Sequence, residues 1–189
     1  AAMNELAKKV CDYLLETYGD IGFVTPPSFA NALRMVAALS EDATPLQFES
    51  WIRQYVDVRV NVAHPDVSGM NYELDGRGVI ETGRGRSVEE RNITIPHEFG
   101  ERLRHAMNEQ LAKCGQPSID WPDHAWDAMS VELVSPLAAF RQRAQANGVD
   151  VIDLAKPLSY EATVRQVTDA FDETHPLFAV YYRNSTPWE

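Results

Sequence analysis

Apolar residues recur at helical spacing from the start of the chain. Leu6, Val10 and Leu14 fall one turn apart between residues 4 and 18, and Gly19 closes the run. Pro26-Pro27 then breaks the pattern, and Ser28 predicts the cap of a second helix through about residue 39. Thr44-Pro45 opens a third, with Leu46, Phe48, Trp51, Ile52 and Tyr55 at its apolar positions. The period next changes to two. Val58, Val60 and Val62 alternate with polar residues, as in a half-buried strand. Residues 70–74 and 79–82 flank Asp75-Gly76-Arg77-Gly78, a turn sequence that predicts a hairpin. Helical spacing returns at Ser87-Val88-Glu89-Glu90, a capping box, and runs towards Lys113 with a stop at Gly115. Phe99, Leu103, Met107 and Leu111 form an apolar stripe on this helix. His97, Glu101 and His105 form a second line about 200° round the axis. Pro96 removes one backbone hydrogen bond and predicts a kink. Gly100 leaves room for a neighbouring backbone.

This order of elements predicts an α+β fold. Three helices serve as scaffold over residues 1–56, a small antiparallel sheet and motif helices span 57–136, and a helical tail with a final strand covers 137–189. A chain of 189 residues with 44% hydrophobic content can bury one core, so a single domain over 1–189 is expected. No apolar run approaches about 20 residues, so no membrane span is expected. Residues 1–6 lack the basic and apolar zones of a signal peptide. Cys11 and Cys114 make no disulfide framework and fit a reducing cytoplasm as two inert thiols. The formal net charge is -11, which argues against a broad nucleic-acid surface.

The stretch with chemical content is His97-Glu98-Phe99-Gly100-Glu101. It follows the zinc-peptidase helix pattern H-E-x-x-H with glutamate in the second histidine's place. In the intact pattern two imidazoles one turn apart grip a metal, and the intervening glutamate activates water. Here His97 and Glu98 stand, and Glu101 occupies the second ligand position. A simpler reading makes Glu101 an i,i+4 surface partner of His97 or His105.

Several blocks in order resemble the ImmA/IrrE family of metallopeptidase-like proteins. They are Val67-Ser68-Gly69, the hairpin, Ser87-Val88-Glu89-Glu90-Arg91, and Ile93-Thr94-Ile95-Pro96-His97-Glu98-Phe99-Gly100. Residues 125–136, Ala-Trp-Asp-Ala-Met-Ser-Val-Glu-Leu-Val-Ser-Pro, look like that family's E-x-x-A-N-x-F-A-x-x-L-L-M-P helix. Residues 151–155 and 158–162 resemble the helical tail that often follows, so the similarity covers roughly residues 50–175. The resemblance implies a gluzincin-like, that is zincin-like, α+β domain, with the sheet packed on an active-site helix and helical extensions at both ends. It implies zinc-dependent proteolysis, often of a DNA-binding repressor. It makes His97 the first metal ligand and Glu98 the general base. Glu101 stands where the second histidine belongs, and Asp123 aligns with the family's third ligand, a glutamate. Asp127 replaces the usual asparagine and Trp126 the usual alanine. Zinc accepts carboxylate oxygen, so His97/Glu101/Asp123 can hold zinc or another divalent metal. This harder set tolerates manganese or iron better and damps Lewis acidity. The implied function is a metal-dependent peptidase or peptidase-like regulator acting on a protein partner such as a repressor. The alternative is a catalytically inactive binding module.

Other features carry less. His105 lies roughly 12 Å along the axis from His97, too far for one ion to take both. His124, beside Asp123, is a possible substitute ligand. His64 and His175 each precede a proline and read as surface residues. Gly83-Arg84-Gly85-Arg86 looks like an anion-binding loop, yet no strand-loop-lysine signature accompanies it. Residues 149–171 can form two helices about a turn at Pro157, which suggests a helix-turn-helix and a DNA-binding regulator. From residue 136 onward, however, five Lys and Arg face seven acids, the reverse of a DNA reader. The last strand is expected at residues 177–182. The sequence names neither the partner nor the oligomeric state.

Overall fold

The computed structural model describes residues 2–40, 43, 45–62, 69–84, 88–134 and 136. The expected tail elements, the capping serine Ser87, His64, His175, and the Gly85 and Arg86 end of the Gly/Arg run lie outside these residues, as does the side chain of His124. Within them the protein is α+β, with five α-helices and one three-stranded sheet. No described helix is long and apolar enough to cross a membrane.

Helix α1 (Ala2–Tyr18) buries Leu6, Ala7, Val10, Cys11 and Leu14, the stripe its spacing predicts. It ends where Gly19, at φ +76°, donates its N–H to the Leu15 carbonyl. A single 3-10 turn, Ile21–Phe23, follows. Helix α2 (Pro26–Ala37) starts earlier than expected. Its cap is Thr25, whose Oγ1 accepts from the Ser28 N–H, and Pro26-Pro27 forms the first turn instead of breaking it. The physical reason is that first-turn N–H groups have no intrahelical acceptor, so proline loses nothing there. Helix α3 spans Pro45–Ile52.

Strands β1 (Asp57–Val62), β2 (Gly69–Leu74) and β3 (Arg77–Gly83) lie in the order β1-β3-β2. The hairpin β2–β3 is antiparallel and turns through Asp75 (φ +51°) and Gly76 (φ +79°), the paired left-handed residues of a tight hairpin. Strand β1, however, runs parallel to β3, so the sheet is mixed and the expected all-antiparallel sheet is corrected. Alternation within strands shows which side chains face which way, but strand direction depends on the connection, and residues 63–68 between β1 and β2 carry no period to read.

Helix α4 (Val88–Lys113) is the centre of the molecule and contacts α1, α3, α5, β2 and β3. Phe99, Leu103, Met107 and Leu111 are fully buried along it, and Pro96 sits inside it. Helix α5 (Asp123–Val134) packs along α4 and α2. The connection between α4 and α5 is clamped by Asn108. Its Oδ1 accepts from the Ile119 N–H at 2.8 Å and its Nδ2 donates to the Ile119 carbonyl at 3.1 Å. At the crossing, a Cβ on Gly100 would lie 2.6 Å from Met129 Cε and 2.8 Å from Trp126 Cε3. Side chains of α5, not a neighbouring backbone, fill the space that glycine leaves. At the far end of α5, the buried Arg34 of α2 donates to the Glu132 and Leu133 carbonyls and so closes the helix C-terminus.

Candidate metal centre

Two helical i,i+4 pairs face each other where α4 crosses α5. Helix α4 presents His97 and Glu101, one turn apart; α5 presents Asp123, its first residue, and Asp127. The His97 ring lies between them. Its Nδ1 is 2.8 Å from Asp127 Oδ1. Its Nε2 is 3.6 Å from Glu101 Oε1 and 4.0 Å from Asp123 Oδ1. Glu98, adjacent in sequence, is 9% exposed and accepts from Asn71 Nδ2 of β2 at 2.5 Å. Ligand atoms of His97, Glu98 and Glu101 all lie within 4.8 Å of one another. Glu98 and Asp123 thus both stand beside the His97–Glu101 pair, Asp123 at Nε2 of the ring.

Donors bound to one zinc at about 2.0–2.2 Å stand about 3.3–3.6 Å apart in a tetrahedron and no more than about 4.4 Å apart in any geometry. The 3.6 Å separation of Nε2 from Glu101 matches the tetrahedral spacing, and the 4.0 Å separation from Asp123 is longer but within the limit. The Asp127 carboxylate accepts a hydrogen bond from Nδ1–H, which fixes the tautomer and turns the bare Nε2 towards Glu101 and Asp123. The residues present therefore fit a divalent cation chemically. One departure stands out: the Asp123 side chain is 90% exposed, so it is the donor least held by packing.

Electrostatics follow from the crowding of acids. Burial alone would depress the His97 imidazolium, but the hydrogen bond and charge of Asp127, with Glu101 and Glu98 beyond, outweigh it and hold its pKa above 6.5. Burial pushes the Glu101 carboxyl above its ordinary 4.5; His97 opposes this, and Glu98 and a hydrogen bond with Asp123 add to it. Both shifts are upward, so both contribute stability in acid that fades as pH rises through the raised values. Metal-free protein should therefore lose stability as pH rises above 4.5, through Glu101, and above 6.5, through His97. Asp127→Asn keeps an acceptor but removes the charge. Its thermal midpoint should fall below wild type in acid and converge with it at high pH. Parallel pH profiles for the two proteins would show that Asp127 does not hold the imidazolium.

The structure thus brings together the side chains of His97, Glu98, Glu101 and Asp123. His105 is exposed and instead lines an open cavity of about 570 Å³ with Arg102 and Glu109. Two participants were given no role at the site by the sequence. Asp127 stands at the asparagine position of the motif it resembles and one turn after Asp123, hence on its face of the helix. Asn71 is legible only through strand alternation, which sets Gly69, Asn71 and Glu73 on the face of β2 towards α4. There a Cβ on Gly69 would meet Thr94, and Glu73 lies 3.8 Å from Arg102. Comparison with known protein families, curated proteins and solved structures finds no match to this chain.

Proposed function

We propose that this chain is a zincin-like, metal-dependent peptidase or peptidase-like regulator that acts on a protein partner, such as a DNA-binding repressor. The observation that carries the reading is the His97 ring. Asp127 clamps one nitrogen at 2.8 Å, and Glu101 and Asp123 converge on the other. His97, Glu101 and Asp123 would hold zinc or a harder divalent ion such as manganese. Such an ion supplies Lewis acidity for peptide hydrolysis. Glu98, beside the ligands and not needed as one, would take a proton from the attacking water and pass it to the leaving amine. The resemblance of residues 50–175 to the ImmA/IrrE family supports the same assignment.

The second reading, a binding module without catalysis, is favoured by the donor chemistry. Two acidic ligands damp the Lewis acidity, and the exposed Asp123 is a weakly anchored third donor. Glu98→Gln separates the two readings. It keeps shape and loses the proton acceptor. If the chain is a peptidase, cleavage of a candidate repressor in the presence of zinc or manganese should fall about 10²–10⁴-fold. Partner binding and thermal midpoint should hold. Cleavage by Glu98→Gln at the wild-type rate would remove Glu98 as general base. A partner that binds both proteins uncut would establish the binding module.

A further inference from the structure

Glu98 is close enough to the donor set to become a ligand itself. Its carboxylate lies within 4.8 Å of the donor atoms of His97 and Glu101. A glutamate drawn onto the ion would no longer be free to accept a proton, so something must hold it back. Nothing on α4 does so among the hydrogen bonds of the described residues. The restraint comes from the sheet. Asn71 Nδ2 donates to Glu98 Oε2 at 2.5 Å.

Three features make this contact more than a surface pairing. Asn71 is paired with Ile80 in the antiparallel ladder, and Ile80 is fully buried, so the strand fixes where the amide points. Two residues earlier, Gly69 has no space for a side chain. A Cβ there would lie 2.1 Å from Thr94 Cγ2 and 3.5 Å from Glu98 Cγ. The β2 backbone thereby lies directly against the first turns of the motif. Glu98 is also nearly buried, so water does not compete freely for its carboxylate.

We propose that Asn71 is a positioning residue that ties the Glu98 carboxylate to the sheet, so that it stays beside the metal position as a proton acceptor and out of the ligand set. This rests on reading His97, Glu101 and Asp123 as a divalent-cation site. An amide suits the task. It is neutral, so it leaves the net charge of the site unchanged, and its NH₂ donates a hydrogen bond to Glu98 Oε2 without giving up its own proton.

Cobalt(II), added alone to the full metal-free chain, tests the proposal without any activity assay. Visible absorption reports coordination, since four-coordinate cobalt absorbs more strongly than five- or six-coordinate cobalt. With Asn71→Ala, Glu98 joins the ligands. Cobalt should bind about tenfold more tightly, as one more anionic donor is added, and absorb more weakly per ion. Adding Glu98→Gln to Asn71→Ala should reverse both changes. Asn71→Ser, whose side chain is shorter, should behave as the alanine variant and keeps the test standing if the latter does not fold. Unchanged affinity and spectrum in a folded variant would overturn the proposal and leave the metal reading intact. Weaker cobalt binding in the variant would also overturn it. Cobalt binding by neither wild type nor variant would overturn both.

Discussion

Replacing Trp126 with alanine should lower the unfolding free energy by about 3–5 kcal/mol. Trp126 is fully buried at the crossing of α4 and α5. Its ring meets Phe29 edge-on, with centroids 5.4 Å apart at 89°, and lies 4.9 Å from the Trp121 ring. Its edge fills the space over Gly100. Removing it leaves a void among α2, α4 and the segment before α5, which a close-packed interior closes only in part. One term works the other way. The indole N–H has no hydrogen-bond partner among the described residues, and deleting an unsatisfied donor recovers about 1–3 kcal/mol. The loss should therefore sit near the lower end of that range. Trp126→Phe, which keeps most of the packing and drops the orphan donor, should cost far less. Denaturant midpoints measure both. An alanine variant within about 1 kcal/mol of wild type would mean that this aromatic cluster does not hold α5 to α4. Because α5 also carries Asp123 and Asp127, cobalt or zinc affinity should drop together with stability.

Glu101→His should raise zinc affinity by at least about tenfold. Glu101 sits one turn after His97 on α4 with its carboxylate 3.6 Å from the His97 ring. A histidine there presents imidazole nitrogen on the same face, and zinc prefers nitrogen to oxygen donors more than manganese does. The change also removes one negative charge from a site already crowded with Glu98, Asp123 and Asp127, so the remaining acids repel each other less. Zinc should gain relative to manganese, read by competition against a chromophoric chelator. No gain in zinc affinity would mean that α4 and α5 do not frame a zinc geometry, and the metal-centre reading would fall with it.

The helices were the most legible part of the fold. The stripe of Phe99, Leu103, Met107 and Leu111 is fully buried along α4, and Leu6, Val10 and Leu14 do the same on α1. Periodicity reports burial well because each apolar side chain has one low-energy place to go. The hairpin was equally plain from Asp75-Gly76, whose positive φ angles few other pairs adopt. Helix α2 began three residues earlier than Ser28 suggested, because Thr25 competes for the same capping role and a proline pair is at home in a first turn. The parallel pairing of β1 with β3 was not legible at all, since alternation is identical for either direction.

For the site, the sequence by itself determined the local part: one helix carrying His97, Glu98 and Glu101, spaced by 3.6 residues per turn, with an acid at the head of the next helix. Only the tertiary structure decided what those groups meet. Asp127 takes one nitrogen of the His97 ring, Asp123 approaches the other, and Asn71 arrives from a strand 27 residues away to hold Glu98. Spacing along a helix is set by backbone geometry that every residue shares. The meeting of α4, α5 and β2 is set instead by packing over Gly100, by the Asn108 clamp and by the room that Gly69 leaves, and these depend on shapes that are complementary only once the chain is folded.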